Sequence, residues 1–452
     1  MSSAKGLEEG SEPPYHPAVA IAGDGTPAGI AGRLPDEALD ALVAVLDAVR
    51  LGRASSRPEL VGRTGLGRAI VAQRVGELLD RGLIVEGDVG PSTGGRPPKR
   101  LALRTDAGHV LVADIGATSI DVAVTALDGR ILARHDEPAE VEAGPEACLG
   151  RVVELFDILL RTTPSVPGRL WGVGIAVPGP VEFRTGRPIS PPIMPGWDGY
   201  PIRETFVARY GAPVWVDNDV NVLALGEWHS GVAAGQDDLV VIKVGTGIGA
   251  GIISGGRLHR GSQGCAGDVG HIQVVDDRSV ICRCGNVGCL EALAGGGAIG
   301  RAGEQAALAG RSDRLLAAID LRGTVTAEDV ARAASSGDPF SVELLQSAGR
   351  RIGAMLASVV NFFNPSLIVI GGGVANSPDV FLAAIREAVY GRSLALATRD
   401  LRIERSSLGS EAGVIGASAM VVDQLFARET IAEWIAAGEP APLARSMAGT
   451  AA

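Results

Sequence analysis

The sequence lacks the features that would send a chain out of the cell or into a membrane. Its first thirty residues mix Glu, Pro, Gly and Ala with no basic start leading into an apolar stretch, so no secretory leader is expected and the cytoplasm is the expected compartment. The longest apolar run, LASVVNFFNPSLIVIGGGVA, is interrupted by Asn361, Asn364 and Pro365. It reads as a helix end followed by a buried strand, not as a span. There are 5 cysteines in 452 residues, three of them between positions 282 and 289, which fits metal binding in a reducing compartment better than a disulfide framework. Short internal repeats are absent too. The 63 glycines fall in small clusters between apolar runs, marking tight turns and ligand loops.

The chain also lacks positive charge, with a net of −11 that by itself argues against nucleic acid as a partner. The distribution says otherwise. Between Arg50 and Thr105 the net charge is +6, so the remainder carries −17, and a basic module sits on an acidic body. The length exceeds what one hydrophobic core organises, which makes two or more domains the expectation.

Residues 1–35 show no periodicity and are expected to be a disordered tail. An amphipathic helix is expected from Pro35 to Leu51, with Leu39, Leu42, Val43, Leu46 and Val49 on its buried face. Two short helical patterns around TGLG follow, then the strand GLIVE, a Gly/Pro hairpin and the strand RLALR. The glycines beside Leu66 permit the sharp turn that presents a second helix to a major groove. The bland alternative is a small packing unit with a solvated Arg-rich face. The hairpin shifts the balance, because GGRPPKR would make a rigid cationic wing for phosphates or a narrow minor groove. A winged helix-turn-helix over 36–105 is the reading, with Arg68, Gln73, Arg74, Arg96 and Lys99 as DNA contacts, the alternative for Arg74 being a place partly against the core.

From Asp106 to Arg428 apolar strands alternate with helical stretches, giving an α/β body, and 429–452 reads as a weak tail. Three strands run into glycine loops: DIGATS (Asp114, Gly116, Thr118), GTGIGAG (Gly245, Thr246, Gly247, Gly249) and GGGVA (Gly372). Such loops bring backbone amides to phosphates, and three in this order suggest a two-lobed, actin-like (ribonuclease H-like) nucleotide fold. Between the first two loops, Asn218 and Asp219 offer an amide for a polyol hydroxyl and a general base, or else simply cap a helix. His271, Cys282, Cys284 and Cys289 make a Cys3His set suited to a closed, structural Zn2+ site. Cys148 and Cys265 are expected to be ordinary buried thiols.

Taken together, the wing, DIGAT, DND, GTGIGAG, the GH before CRCGNVGCLE, and GGGVA resemble the ROK family (repressors, open reading frames and kinases), above all its winged-helix regulators of carbohydrate genes. The resemblance covers Pro35 to Arg428. It implies the sugar-kinase form of the actin-like fold, with sugar hydroxyls held by Asn218, Asp219, Asp268, His271 and Glu291. Asp219 would be the base in a kinase, and the zinc ligands would be His271, Cys282, Cys284 and Cys289. Four positions depart from the family pattern: Ala117 and Ser119 in the first phosphate motif, Asp268 in place of Glu, and Ile193 in place of a pocket Asn. The expected function is a sugar-responsive DNA-binding regulator, a repressor of carbohydrate uptake or catabolism genes. Its partners would be operator DNA, a sugar or sugar phosphate and a second copy of the chain, as a homodimer or dimer of dimers, with no membrane. The alternative is an ATP-dependent sugar kinase, with ATP and Mg2+, carrying a DNA-binding domain.

Overall fold

A computed structural model describes residues 35–89, 99–163, 166 and 168–449. The chain begins with α1 (Asp36–Arg50), opened by Asp36 and Glu37 and closed by Arg50, an order of charges that suits the helix dipole. Its buried face is Leu39, Leu42, Val45, Leu46 and Val49; Val43 is only half-buried, because Val45 sits closer to the middle of the stripe. Ser56 caps α2 (Arg57–Thr64), and Gly65, at φ 70°, ends it in the left-handed conformation that glycine adopts without strain. Next come α3 (Arg68–Asp80) and the antiparallel pair β1 (Ile84–Val89) and β2 (Lys99–Leu103). The order helix, helix, helix, strand, strand is that of a winged helix.

The first lobe contains β3 (Gly108–Ile115), β4 (Ser119–Ala126), β5 (Ile131–Pro138), α4 (Pro145–Thr162) and β6 (Arg169–Val177). It continues through the small hairpin β7 (Val181–Glu182) and β8 (Arg187–Pro188), α5 (Ile202–Tyr210), β9 (Val214–Asn218) and α6 (Asp219–Ser230). Its sheet runs β5-β4-β3-β6-β9, with an antiparallel meander on one side and parallel strands on the other.

The second lobe repeats that plan. It holds β10 (Leu239–Val244), β11 (Ile248–Ser254), β12 (Arg257–Leu258), α7 (Leu290–Ala294), α8 (Gly296–Leu308), α9 (Asp313–Arg322), α10 (Ala327–Ser335) and α11 (Pro339–Phe363). Then follow β13 (Leu367–Gly371), α12 (Asp379–Arg392), α13 (Ala395–Thr398) and β14 (Arg402–Arg405). The sheet order β12-β11-β10-β13-β14 has antiparallel and parallel pairings in the same places as the first. Two sheets with one plan, joined by crossover helices, are the two-lobed actin-like architecture that the glycine loops suggested.

The chain then returns to the first lobe through α14 (Ala412–Phe426), α15 (Arg428–Trp434) and α16 (Ala441–Gly449). The expectation of a tail over 429–452 is therefore corrected for its described part, up to 449. Trp434 is fully buried, lies edge-on to Trp171 of β6 at 5.5 Å and donates to the Leu425 carbonyl at 2.8 Å. A buried indole with its N–H satisfied anchors a segment firmly. One apolar core runs from α1 and α3 through β3 and α14 to Trp434, so the winged helix and the first lobe share their packing. Among the described residues no helix is long and apolar enough to cross a membrane.

Candidate functional site: a cleft between the lobes and a Cys3His cluster

The loops after β3 and β10 open toward each other across a cleft of about 800 Å3. All five residues expected at a sugar, Asn218, Asp219, Asp268, His271 and Glu291, line it. So do Gly116, Thr118, Gly245, Thr246, Gly247 and Gly249 from the expected phosphate loops. Two expectations fail. Asp114 does not line the cleft, because α14 packs over its carboxyl: a Cβ on Gly413 would come within 1.9 Å of Asp114 Oδ2. Gly372 stands behind Gly373 and Val374, which line the cleft, and its own α-carbon faces the carbonyl of Val244.

Each lining side chain is held by the element that carries it. Asn218 caps α6 by accepting from the amides of Val220 at 2.9 Å and Asn221 at 3.4 Å, and it donates to the Gly179 carbonyl at 2.9 Å. The helix-cap reading is thus correct, and one Nδ2 hydrogen is left over for a ligand. Asp217 is buried beneath, gripped by Arg260 at 2.7 Å and by Asn221 at 2.9 Å, with the Arg260 guanidinium 3.8 Å over the Phe183 ring. Glu291 accepts from the Ile248 amide at 3.0 Å. Its carboxylate lies against Gly247, where a Cβ would come within 2.3 Å of Oε2, so a side chain at that turn would displace the Glu291 carboxylate. Burial pushes the Asp268 carboxyl above its ordinary value; His271 opposes that and Glu291 adds to it.

Below the cleft, ligand atoms of His271, Cys282, Cys284 and Cys289 all lie within 4.8 Å of one another. His271 Nδ1 is 3.6 Å from Cys282 Sγ, and Cys284 Sγ is 3.8 Å from Cys289 Sγ. A tetrahedral ion with metal–sulfur bonds of about 2.3 Å sets its sulfurs about 3.8 Å apart, so the donor set fits a Zn2+-sized ion with no open position. Nδ1 faces the thiols and leaves Nε2 free on a ring that lines the cleft, which ties the cluster to the cleft wall. Cys148 is buried as expected, whereas Cys265 is exposed, on the glycine-flanked turn before Asp268.

On the winged helix, Arg68 and Gln73 are exposed at the start and middle of α3. Arg74 is not available as a DNA contact. It is 6% exposed and paired with Glu77 at 2.8 Å, because it shares the inward face with Val71, Val75 and Leu78. Lys99 is exposed and bonds Glu86 across the β1–β2 pair at 2.7 Å, so a phosphate contact would compete with that pairing. Arg96 and the hairpin tip lie outside the described residues.

The sequence reading missed two ionic features. Lys243, on β10, donates to Asp219 Oδ2 at 2.7 Å; a lysine inside the apolar run LVVIKV was the available signal. Asp423, on α14, joins His229 of α6 at 2.9 Å to Arg50 of α1 at 2.7 Å. These three are scattered along the chain, and no local pattern announces them.

Comparisons with known proteins agree with this fold. A xylose repressor from Caldicellulosiruptor bescii is 30% identical over 384 residues, 84% of this chain and 95% of its own. A crystal structure of a ROK family transcriptional regulator, homologous to the Escherichia coli MLC protein, superposes with a TM-score of 0.72 at 27% identity, over 91% of this chain and 98% of its own. A ROK family glucokinase from Streptomyces griseus, in complex with glucose and AMPPNP, matches with a TM-score of 0.61 at 31% identity, over 69% of this chain and 99% of its own. The ROK family model itself matches residues 110–424, most of the two-lobed body, and the chain belongs to the ROK family.

Proposed function

We propose that this chain is a sugar-responsive transcriptional regulator, a repressor of carbohydrate uptake or catabolism genes. The observation that carries the reading is that the cleft and the winged helix lie at opposite ends of one pair of helices. Helix α6 starts at Asp219 in the cleft and ends next to His229, about 18 Å away at 1.5 Å per residue. Its partner α14 starts against Asp114 and ends at Asp423 and Phe426. The two touch backbone to backbone: a Cβ on Gly226 would lie 2.2 Å from the Ala412 carbonyl oxygen, and one on Gly416 would lie 1.8 Å from that of Val222. At the far end, His229 and Arg50 both bond Asp423, and Arg428 bonds Asp36 and Asp40 of α1. A ligand that shifts Asp219 pushes a stiff pair of helices whose other end holds α1.

A sugar or sugar phosphate bound by Asn218, Asp219, Asp268, His271 and Glu291 closes the lobes and releases operator DNA held through Arg68, Gln73, Arg96 and Lys99. Zn2+ at His271, Cys282, Cys284 and Cys289 is structural and fixes the lower wall of the cleft. The protein acts as a homodimer or dimer of dimers on an inverted repeat, since two half-sites multiply a modest set of contacts. The cytoplasm is its place of action. Support comes from the similarity to a xylose repressor over 84% of this chain, more than the 69% that the glucokinase matches.

The test is genomic footprinting, followed by a panel of sugars and sugar phosphates on the recovered site and ultracentrifugation with and without that DNA. At least one sugar is expected to lower operator affinity, acting on a dimer or tetramer. Failure to recover any discrete site would overturn the reading.

A further inference from the structure

One charged side chain in the cleft is explained neither by the glycine loops nor by hydroxyl recognition. Lys243 lies on β10, two residues before Gly245, in a strand otherwise made of Leu, Val and Ile. Its side chain is 19% exposed, and its ammonium meets Asp219, itself 9% exposed, at 2.7 Å. Burial acts to lower the lysine's affinity for its proton, but Asp219 and Asp114 outweigh burial and hold the ammonium charged. One cation from the second lobe thus bonds the carboxylate at the start of α6 and acts through its charge on the one at the end of β3. Without it, the two carboxylates would repel each other in a confined place and would ionise together only around another cation.

Phosphoryl transfer to a hydroxyl needs this same ground. It uses a metal-bound nucleotide phosphate and a carboxylate free to take the hydroxyl proton. The residues present do not fit such a group. Asp219 already accepts from the ammonium. Asp114 lies under Gly413, and its Oδ1 is shut off from solvent with no hydrogen-bond partner.

We propose that Lys243 is a built-in cation that takes the place of a metal ion between Asp114 and Asp219, making the cleft a site that reads a sugar hydroxyl without metal or nucleotide. The proposal rests on the sugar-reading function above, but its test needs no knowledge of the sugar. The ammonium fixes the Asp219 carboxylate in one orientation as an acceptor for a hydroxyl hydrogen. The hydroxyl proton stays on its oxygen, and no group is transferred.

The experiment is Mn2+ titration of the full-length, zinc-loaded protein followed by electron paramagnetic resonance, with ADP release from ATP measured beside it across hexoses and amino sugars. The wild type is expected to show no Mn2+ site that Asp114→Asn removes, and no sugar-dependent ADP release. Lys243→Thr is expected to gain a Mn2+ site at least ~10-fold tighter than any in the wild type, lost again in Lys243→Thr/Asp114→Asn. If Lys243→Thr does not fold, Lys243→Met/Asp219→Asn, which removes one charge of each sign, is expected to recover the wild-type Tm to within about 5 °C. A Mn2+ site in the wild type that depends on Asp114, ADP release by the wild type, a folded Lys243→Thr with no gain, or a double variant as unstable as the single one would each overturn the proposal. A sugar panel without effect on operator binding would instead sink the regulator reading, and the Mn2+ result would still decide the role of Lys243.

Discussion

The two ends of α6 carry similar ionic chemistry in different surroundings. At the cleft end Asp219 meets Lys243 at 2.7 Å beside a space of about 800 Å3. At the far end His229 meets Asp423 at 2.9 Å, and Asp423 meets Arg50 at 2.7 Å, between α1, α6 and α14. A charge that borders a cavity can take a ligand as a further partner. A charge locked between helices can only pass on a displacement. The pairing that reads a molecule and the pairing that reports it are thus told apart by the room beside them, not by residue type.

The cleft end should break most completely on loss of metal. Chelation or Cys284→Ser removes one wall of the cleft at His271, and a closed site of this kind contributes folding free energy directly, so a fall in Tm on the order of 10 °C and a loss of sugar response are expected. Metal analysis of purified protein with well under one equivalent of zinc would refute the assignment.

Next in size are substitutions that separate the two ends. Asp219→Asn should weaken the sugar response by about 100-fold while operator binding without sugar stays within about 2-fold, because a charge-assisted hydrogen bond to a hydroxyl is lost at one end only. Arg68→Ala should do the reverse, lowering operator affinity and reducing the salt slope by about 1. Arg74→Ala is the control on α3: its loss should lower stability, since it breaks the buried pair with Glu77, and not the salt slope. A folded Asp219→Asn protein that no longer binds operator would disprove the separation.

The joint itself is the subtler target. Asp423→Asn should leave sugar affinity and operator affinity each near wild type, and cut the factor by which one ligand lowers the other by about 5-fold, roughly 1 kcal/mol of coupling. Titrations of each ligand in the presence and absence of the other measure it. Unchanged coupling would mean that the signal travels by another route.

Much of this comparison was legible in the sequence, and the part that was not has a common cause. The winged helix, the three strand-loop units and the Cys3His set announce themselves through local spacing, since turns, caps and metal loops are built from neighbours in the chain, whereas the sugar-site roles of Asp268, His271 and Glu291 are what the resemblance to the ROK family implies. Arg74 was misplaced because its charge was given more weight than its spacing: three residues after Val71 and four before Leu78, it falls on the inward face of α3. Ile431 and Trp434 looked like a tail because two turns of helix show little periodicity; Phe426 is near in the chain, but Trp171, against which Trp434 packs, is far away in sequence. Lys243 and the trio His229, Asp423 and Arg50 are ionic contacts between distant segments, which sequence spacing does not encode.

The smallest expected effect is one of pH, and it has opposite signs at the two ends. At the far end, burial pushes the Asp423 carboxyl up, but His229 and Arg50 together pull it below its ordinary value. Its contribution to stability is therefore complete above the ordinary Asp range, near 4, and is lost only as the pH falls through the lower folded value. Near the cleft, burial pushes Asp114 up to about 6, helped by Asp219 and Asp121 and opposed by Lys243. Between about 4 and 6 the folded chain thus holds a proton that the unfolded chain has released, so this group's contribution declines as the pH rises through that window and is flat above it. Asp114→Asn removes the titration at nearly constant shape. Its Tm should gain on the wild type by a few degrees between about pH 4 and pH 7, whereas Asp423→Asn should lose ground over the same span or stay level. Thermal melts of the three proteins across that range measure both slopes, and an Asp114→Asn profile parallel to the wild type would show that Asp114 is ionised throughout.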